Sequence, residues 1–234
     1  MASKNGGTAT KSGHRREIAV GGVRQSKPIA VPRPRQSLIE AVLVGIEPGL
    51  LINPFDRKAE EQLLASMQKG TAKRTRADKD PEREYAARLA AVRLPEDDTY
   101  WLDIRAFKKA MCRGAKSVDK LNMTDVRGGV FVVQDSVINQ KPVAHIAGVA
   151  ERYSCHASNK GGSPDYRTRV LLPAWRYTLR FLVDTSILSV DQSMLCLVNA
   201  GTGVGVGDWR PEKDGVHGRW TVESAGAVVL QSDE

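Results

Sequence analysis

The chain has 234 residues, 35 Lys/Arg against 27 Asp/Glu and a formal net charge of +8, which bounds it to one large domain or two small ones with an anionic partner favoured. No apolar run approaches the ~18 residues of a membrane span, and the opening MASKNGGTATKSGHRRE has no apolar leader, so neither a membrane partner nor secretion is expected. Three widely spaced cysteines (Cys112, Cys155, Cys196) argue against a disulfide framework and for a reducing compartment, the cytoplasm.

The charge is unevenly placed. Residues 1–36 hold eight Lys/Arg and one acid, while the other 198 residues hold 27 Lys/Arg and 26 acids. Prolines 28, 32 and 34 forbid a regular helix here, so 1–36 reads as a flexible basic arm. Residues 37–234 form the expected domain. Ser37 to Asn53 reads as a buried strand broken near Pro48. Asp56 to Gln68 has a helical pattern, and a highly charged stretch follows. Tyr85 to Val92 reads as a short helix that ends before Pro95. The whole of 56–93 is an expected insertion.

Asp103 to Lys120 carries the clearest helical period, with Ile104, Phe107, Met111 and Val118 on one face and Asp103 as a candidate cap. Arg105, Lys108, Lys109, Arg113, Lys116 and Lys120 oppose them, against one acid, Asp119. Without acidic partners one turn away, that face points to phosphate contact. Gly128 to Gln134 is an expected strand, 135–140 a turn, and Pro142 to Val149 another strand. The polar stretch 152–169 reads as a loop or long hairpin, a second insertion. Arg167, Arg169 and Arg176 cluster around its end as further phosphate candidates. Tyr177 to Asp184 alternates as a strand. Ser189 to Ala200 is a helix capped by Ser189, with Met194, Leu195, Leu197 and Val198 expected inward and Gly201 as its stop. Trp101 and Trp175 are expected in the core, and Trp220 against this last helix.

Ala200 to Glu223 holds six glycines (Gly201, Gly203, Gly205, Gly207, Gly215, Gly218) among Trp209, Arg210, Lys213, Arg219 and Trp220. Glycine lets backbone approach a ligand, arginine presents a fork to phosphate, and tryptophan offers a stacking face. This predicts a nucleic-acid surface using Gly203, Gly205, Gly207, Trp209, Arg210, Lys213, Gly218 and Arg219. The competing expectation is a hairpin that merely turns the chain. The glycines follow a helix and precede a strand, the reverse of a dinucleotide-binding loop. No zinc spacing and no GxSxG elbow occurs, and no cofactor or metal is expected.

The order of elements is βαβ–βαβ with long insertions. It predicts an α+β, ferredoxin-like or RRM-like antiparallel sheet with two helices on one face, a free opposite face and a C-terminal glycine-rich loop. Ala41–Asn53, TYWLDIRAFKKAMCRGA and YTLRFLVD…MLCLVNAGTGVGVGDWRPEKDGVHGRWTV resemble the RAMP superfamily, the ferredoxin-like backbone and processing subunits of CRISPR effector complexes. A phage-encoded or stand-alone relative is the alternative form of this resemblance. It implies binding of single-stranded RNA through the glycine loop and first helix, self-association along a guide or assembly with other effector subunits, and a part in antiviral defence. Single-stranded DNA is the nearest alternative ligand. An RNA endonuclease would use His217 or Asp56 (His145 and His156 being the other folded-part histidines), but binding without catalysis is expected. A phage assembly protein is the remaining alternative.

Overall fold

The computed structural model describes residues 35–53, 80–158 and 164–230, all within the unit Arg33–Glu234. The expected arm, apart from Arg35 and Gln36, lies outside the described residues. So do the expected helix at 56–68, Asp56 and the charged stretch after it.

Strand β1 (Gln36–Gly45) alternates, burying Ile39, Ala41 and Leu43. After the cis Glu47–Pro48 peptide the chain leaves β1, and β2 (Leu50–Ile52) pairs in a different sheet, the break expected at Pro48. Helix α1 (Pro81–Val92) starts where Asp80 accepts the N–H groups of Glu82 (3.0 Å) and Arg83 (3.3 Å), with proline in its first turn. Two strands follow, β3 (Arg93–Leu94) and β4 (Thr99–Asp103). Helix α2 (Arg105–Gly114) and a 3-10 turn (Ala115–Ser117) stop short of the expected Lys120. Helix α3 (Met123–Gly129) was not anticipated, since seven residues ending in two glycines carry little periodic signal.

The remaining strands are β5 (Val130–Val133), β6 (Ser136–Ile138), β7 (Lys141–Gly148), β8 (Glu151–Ser158), β9 (Pro164–Leu172), β10 (Trp175–Asp184) and β11 (Trp220–Leu230). Strand β6 replaces an expected turn. The stretch expected as a loop or hairpin at 152–169 is the β8–β9 hairpin. The larger sheet runs β11-β1-β10-β7-β4-β3, with β5 also beside β10 and β6 beside β7, while β2-β9-β8 form the smaller one. The fold is thus α+β, with mostly antiparallel pairing and four helices among the described residues. None of these helices is long and apolar enough to cross a membrane.

Helix α4 (Val190–Gly203) is capped by Ser189, whose hydroxyl accepts the Gln192 N–H at 3.1 Å, and its inward face is the expected one at Leu197 and Met194 but not at Leu195 and Val198. Leu195 and Val198 are exposed, whereas Ser193, Cys196, Leu197, Ala200 and Gly201 are buried. Small side chains win that face because α4 lies close against α2 and β11. A Cβ on Gly201 would come within 2.4 Å of the Trp220 carbonyl. Gly201 therefore sits inside the helix as a contact point, two residues before its end.

One aromatic cluster joins the layers. Phe107 from α2 stacks on Tyr177 of β10 at 5.2 Å and meets Trp220 of β11 edge-on at 5.7 Å, and Trp175 adds to Trp220 at 6.5 Å. Trp220 and Phe107 are fully buried, so Trp175 and Trp220 take the core places expected of them, while Trp101 is half-buried and donates to the Ala91 carbonyl at 2.8 Å. Truncating Phe107 removes a hub that two strands and a helix share. Phe107→Ala should cost about 3–5 kcal/mol in guanidinium unfolding, with little change for a control truncation at exposed Val137.

Candidate nucleic-acid interface

Helix α2 divides into an apolar and a cationic face. Phe107, Ala110, Met111 and Cys112 are buried, and the cations project from the other side. They have different surroundings. Arg105 is clamped by Asp103, which accepts its Nη2 at 2.6 Å and its backbone N–H at 3.0 Å. Burial raises the Asp103 carboxyl, but the Arg105 bonds outweigh it and hold the group below its ordinary value. The Lys108 ammonium lies 4.9 Å from the centre of the Phe131 ring. Arg113 reaches Glu212 in the glycine-rich segment, and Glu212 also holds Arg210 at 3.0 Å. That carboxylate bridges α2 and the loop.

Lys109 and Lys116 are exposed and make no ion pair among the described residues. The same holds for Lys120 and for Arg127 of α3, a cation that sequence reasoning passed over because α3 was not foreseen. Between 103 and 129 the chain holds seven Lys/Arg and three acids. At the margin of this surface Phe131 is 44 % exposed. It is in register with Leu182, which faces Leu38, which in turn faces Val228. An apolar row therefore crosses four strands on the sheet face away from the helices. The alternation within GGVFVVQ was the available signal for an outward Phe131.

The glycine-rich segment folds onto itself and onto β1–β2. Val206 N–H donates to the Gly218 carbonyl (2.9 Å), Gly218 N–H to Gly49 (2.8 Å), Asp208 N–H to Leu51 (3.0 Å) and His217 N–H to Trp209 (3.0 Å). Gly205, Gly207 and Gly218 have positive φ. At Gly218 a Cβ would fall 1.7 Å from the Val206 carbonyl, and at Gly207 2.4 Å from that of Leu51. The space left by these glycines is filled by the chain itself, whereas Gly203 faces open space. Trp209 is half-buried, edge-on to Tyr153 at 5.8 Å, and Lys213 is exposed. Arg210 also donates to the Gly207 carbonyl at 3.0 Å, and the half-buried Arg219 leaves its Nε unpartnered.

Arg169, on β9, is largely buried and pairs with Asp208 at 2.8 Å, tying the hairpin to the loop. Arg167 is half-buried on the same strand. Arg176 is exposed on β10, bound to Glu223 across the sheet. The bridge from Arg113 to Glu212 does bring α2 and the loop together. Of the arginines of 167–176, Arg169 is joined to the loop through Asp208, whereas Arg176 belongs to the sheet face away from the helices.

His217 is buried instead of solvated, against Tyr153 at 5.4 Å, and its Nδ1 has no partner. Burial lowers its pKa, opposed by a bond with the Gly49 carbonyl. No group of His, Cys, Asp or Glu among the described residues is arranged to hold a metal ion. Comparison of the sequence with protein-family models and with curated proteins finds no match.

A histidine whose folded pKa lies below its unfolded value of about 6.5 binds its proton more readily after unfolding. The stability it contributes is therefore complete above that value and is lost as pH falls toward the folded pKa. The melting temperature should drop between pH 7.5 and 5.5, and His217→Gln should flatten that slope in a pH series of thermal melts.

Proposed function

We propose that the chain is a single-stranded nucleic-acid-binding protein of RAMP type, with RNA as a ligand that it binds without cleaving, built on a ferredoxin-like core. Strands β11-β1-β10-β5 supply the core, each pair antiparallel, with α2 between β1 and β5 in the chain and α4 between β10 and β11. That order and those two crossovers correspond to a βαββαβ unit whose fourth strand lies beside its first. Strands β3, β4, β6 and β7, together with the small sheet, are then additions to it.

The observation that carries the reading is the set of exposed cations on α2, the turn after it and α3 that make no ion pair among the described residues: Lys109, Lys116, Lys120 and Arg127. Cations without carboxylate partners keep their full attraction for phosphate. Phe131, with Lys108 beside it, offers a base a stacking face at the edge of that surface. The glycine-rich segment supports the reading indirectly, as the brace that Glu212 fastens to α2. The open edge of β11, with Val228, Val229 and Leu230 exposed, supports self-association of copies side by side.

The test is fluorescence anisotropy with labelled single-stranded RNA, the matching single-stranded DNA and a duplex. Binding should fall linearly with log salt, with a slope near −0.7 per phosphate contact. Lys109→Glu with Lys116→Glu should weaken RNA binding at least about tenfold and reduce that slope by ~1.4, whatever the sequence. Phe131→Ala should weaken it without changing the slope. Binding that ignores salt, or that prefers duplex, removes the proposal.

A further inference from the structure

The sheet face away from α2 and α4 contains a second chemical arrangement, independent of the cation surface. His145 lies on β7 between two neighbours. Its Nε2 is 2.7 Å from Ser136 Oγ, and its Nδ1 is 3.0 Å from Asp97 Oδ2. The topology produces this. Strand β7 pairs with β6 at Ser136–Val143 and with β4 at Trp101–His145, so one neighbour brings the serine and the turn entering the other brings the aspartate.

The nitrogens are used in the order that nucleophilic catalysis needs. In the tautomer that carries its proton on Nδ1, His145 donates to Asp97 Oδ2 and leaves the Nε2 lone pair for the Ser136 hydroxyl proton. His145 is further held by its own backbone N–H, which donates to Asp135 Oδ2 at 2.9 Å. The other oxygen of Asp135 accepts from Arg180 at 3.1 Å. Asp135 is thereby occupied and does not compete for the imidazole. His145, Asp135, Arg180, Arg176, Thr178 and Glu40 line an open depression of about 470 Å³, so that the imidazole is reached from solvent on that side. The Asp97 side chain is 56 % exposed, so solvent screens its hold on the imidazole more than in a buried triad.

We infer that Ser136, His145 and Asp97 form a serine nucleophile site that hydrolyses small carboxylic esters. In the first step Ser136 Oγ bonds to the ester carbonyl carbon, and its proton passes to His145 Nε2. The carbon–alkoxide bond then breaks, and the alkoxide takes that proton and leaves as an alcohol. In the second step water adds to the acyl carbon, giving a proton to His145. The Ser136 ester bond breaks, Oγ recovers the proton, and a carboxylic acid departs. No redox change occurs, and water is the second reactant.

A fluorophosphonate probe reports on this directly, because it phosphonylates an activated serine. The full chain should gain the mass of one probe less HF, fluoride leaving as the Ser136 Oγ–P bond forms, mapped by peptide mass spectrometry to the peptide holding Ser136, and should hydrolyse p-nitrophenyl acetate. Ser136→Ala should abolish both, and His145→Gln should slow both by roughly 10²–10⁴-fold. Asp97→Asn should cost less than His145→Gln, in keeping with its exposure. A purely structural role for the Ser136–His145 bond would lower the melting temperature of Ser136→Ala while the wild-type chain takes no label. That outcome, or label on any other residue, overturns the inference. Site mapping on the wild-type chain decides the matter even if a variant fails to fold.

Discussion

The burial of Trp220 is the constraint on which the rest of the structure turns. It opens β11, lies under α4 and meets both Phe107 and Trp175. A side chain of this size enters a filled interior only where its neighbours give way. Gly201 of α4 does so by having no Cβ, and the small-residue stripe of Ser193, Cys196 and Ala200 lets the whole helix settle close. Once α4 is that near, it packs against α2, and α2 is fixed over β10 through Phe107 and Tyr177. The cationic side of α2 is then turned outward by default, because its apolar side is spent on this cluster.

The glycine-rich segment has its meaning within the same constraint. It leaves α4 and must return to β11 while passing the β1–β2 turn. Its N–H groups at Gly218 and Asp208 donate to the Gly49 and Leu51 carbonyls on the way, and its Arg219 carbonyl accepts from the Ile46 N–H. Backbone this close to backbone tolerates no Cβ at Gly218 or Gly207. Three charges of the segment, Asp208, Arg210 and Glu212, are likewise bound inward, with Arg210 and Arg113 sharing Glu212 and Asp208 holding Arg169. A partly buried carboxylate between two guanidiniums is a fastening between elements. The exposed cations that make no ion pair among the described residues lie mainly on α2, the turn after it and α3.

The two faces of the larger sheet thus have different chemistry. One is closed by α2 and α4, of which α2 turns its cations outward. The other carries an apolar row from Phe131 to Val228 and a polar depression where His145 sits between a hydroxyl and a carboxylate. Acidic and basic groups are nearly matched there (Arg176 with Glu223, Arg180 with Asp135), so a polyanion gains little from that depression. Small polar molecules are a better match to it, and the cation surface a better match to a strand of phosphates.

The sequence by itself determined the elements whose signal is local. Alternation marked β1 and β10, Pro48 marked the break after β1, the helical period of Ile104, Phe107 and Met111 marked α2, and Ser189 marked the start of α4. Each depends on residues a few positions apart. What only the tertiary structure decided depends on partners far along the chain. Which face of α4 is buried was set by how closely it approaches Trp220, so size overruled hydrophobicity at Leu195 and Val198. Whether a given arginine is free was set by Glu212, 99 residues from Arg113, and by Asp208, 39 residues from Arg169. The glycines showed in the sequence where the backbone is unhindered, but the close approach they permit is to other parts of the same chain, a fact that follows from packing and leaves no local trace.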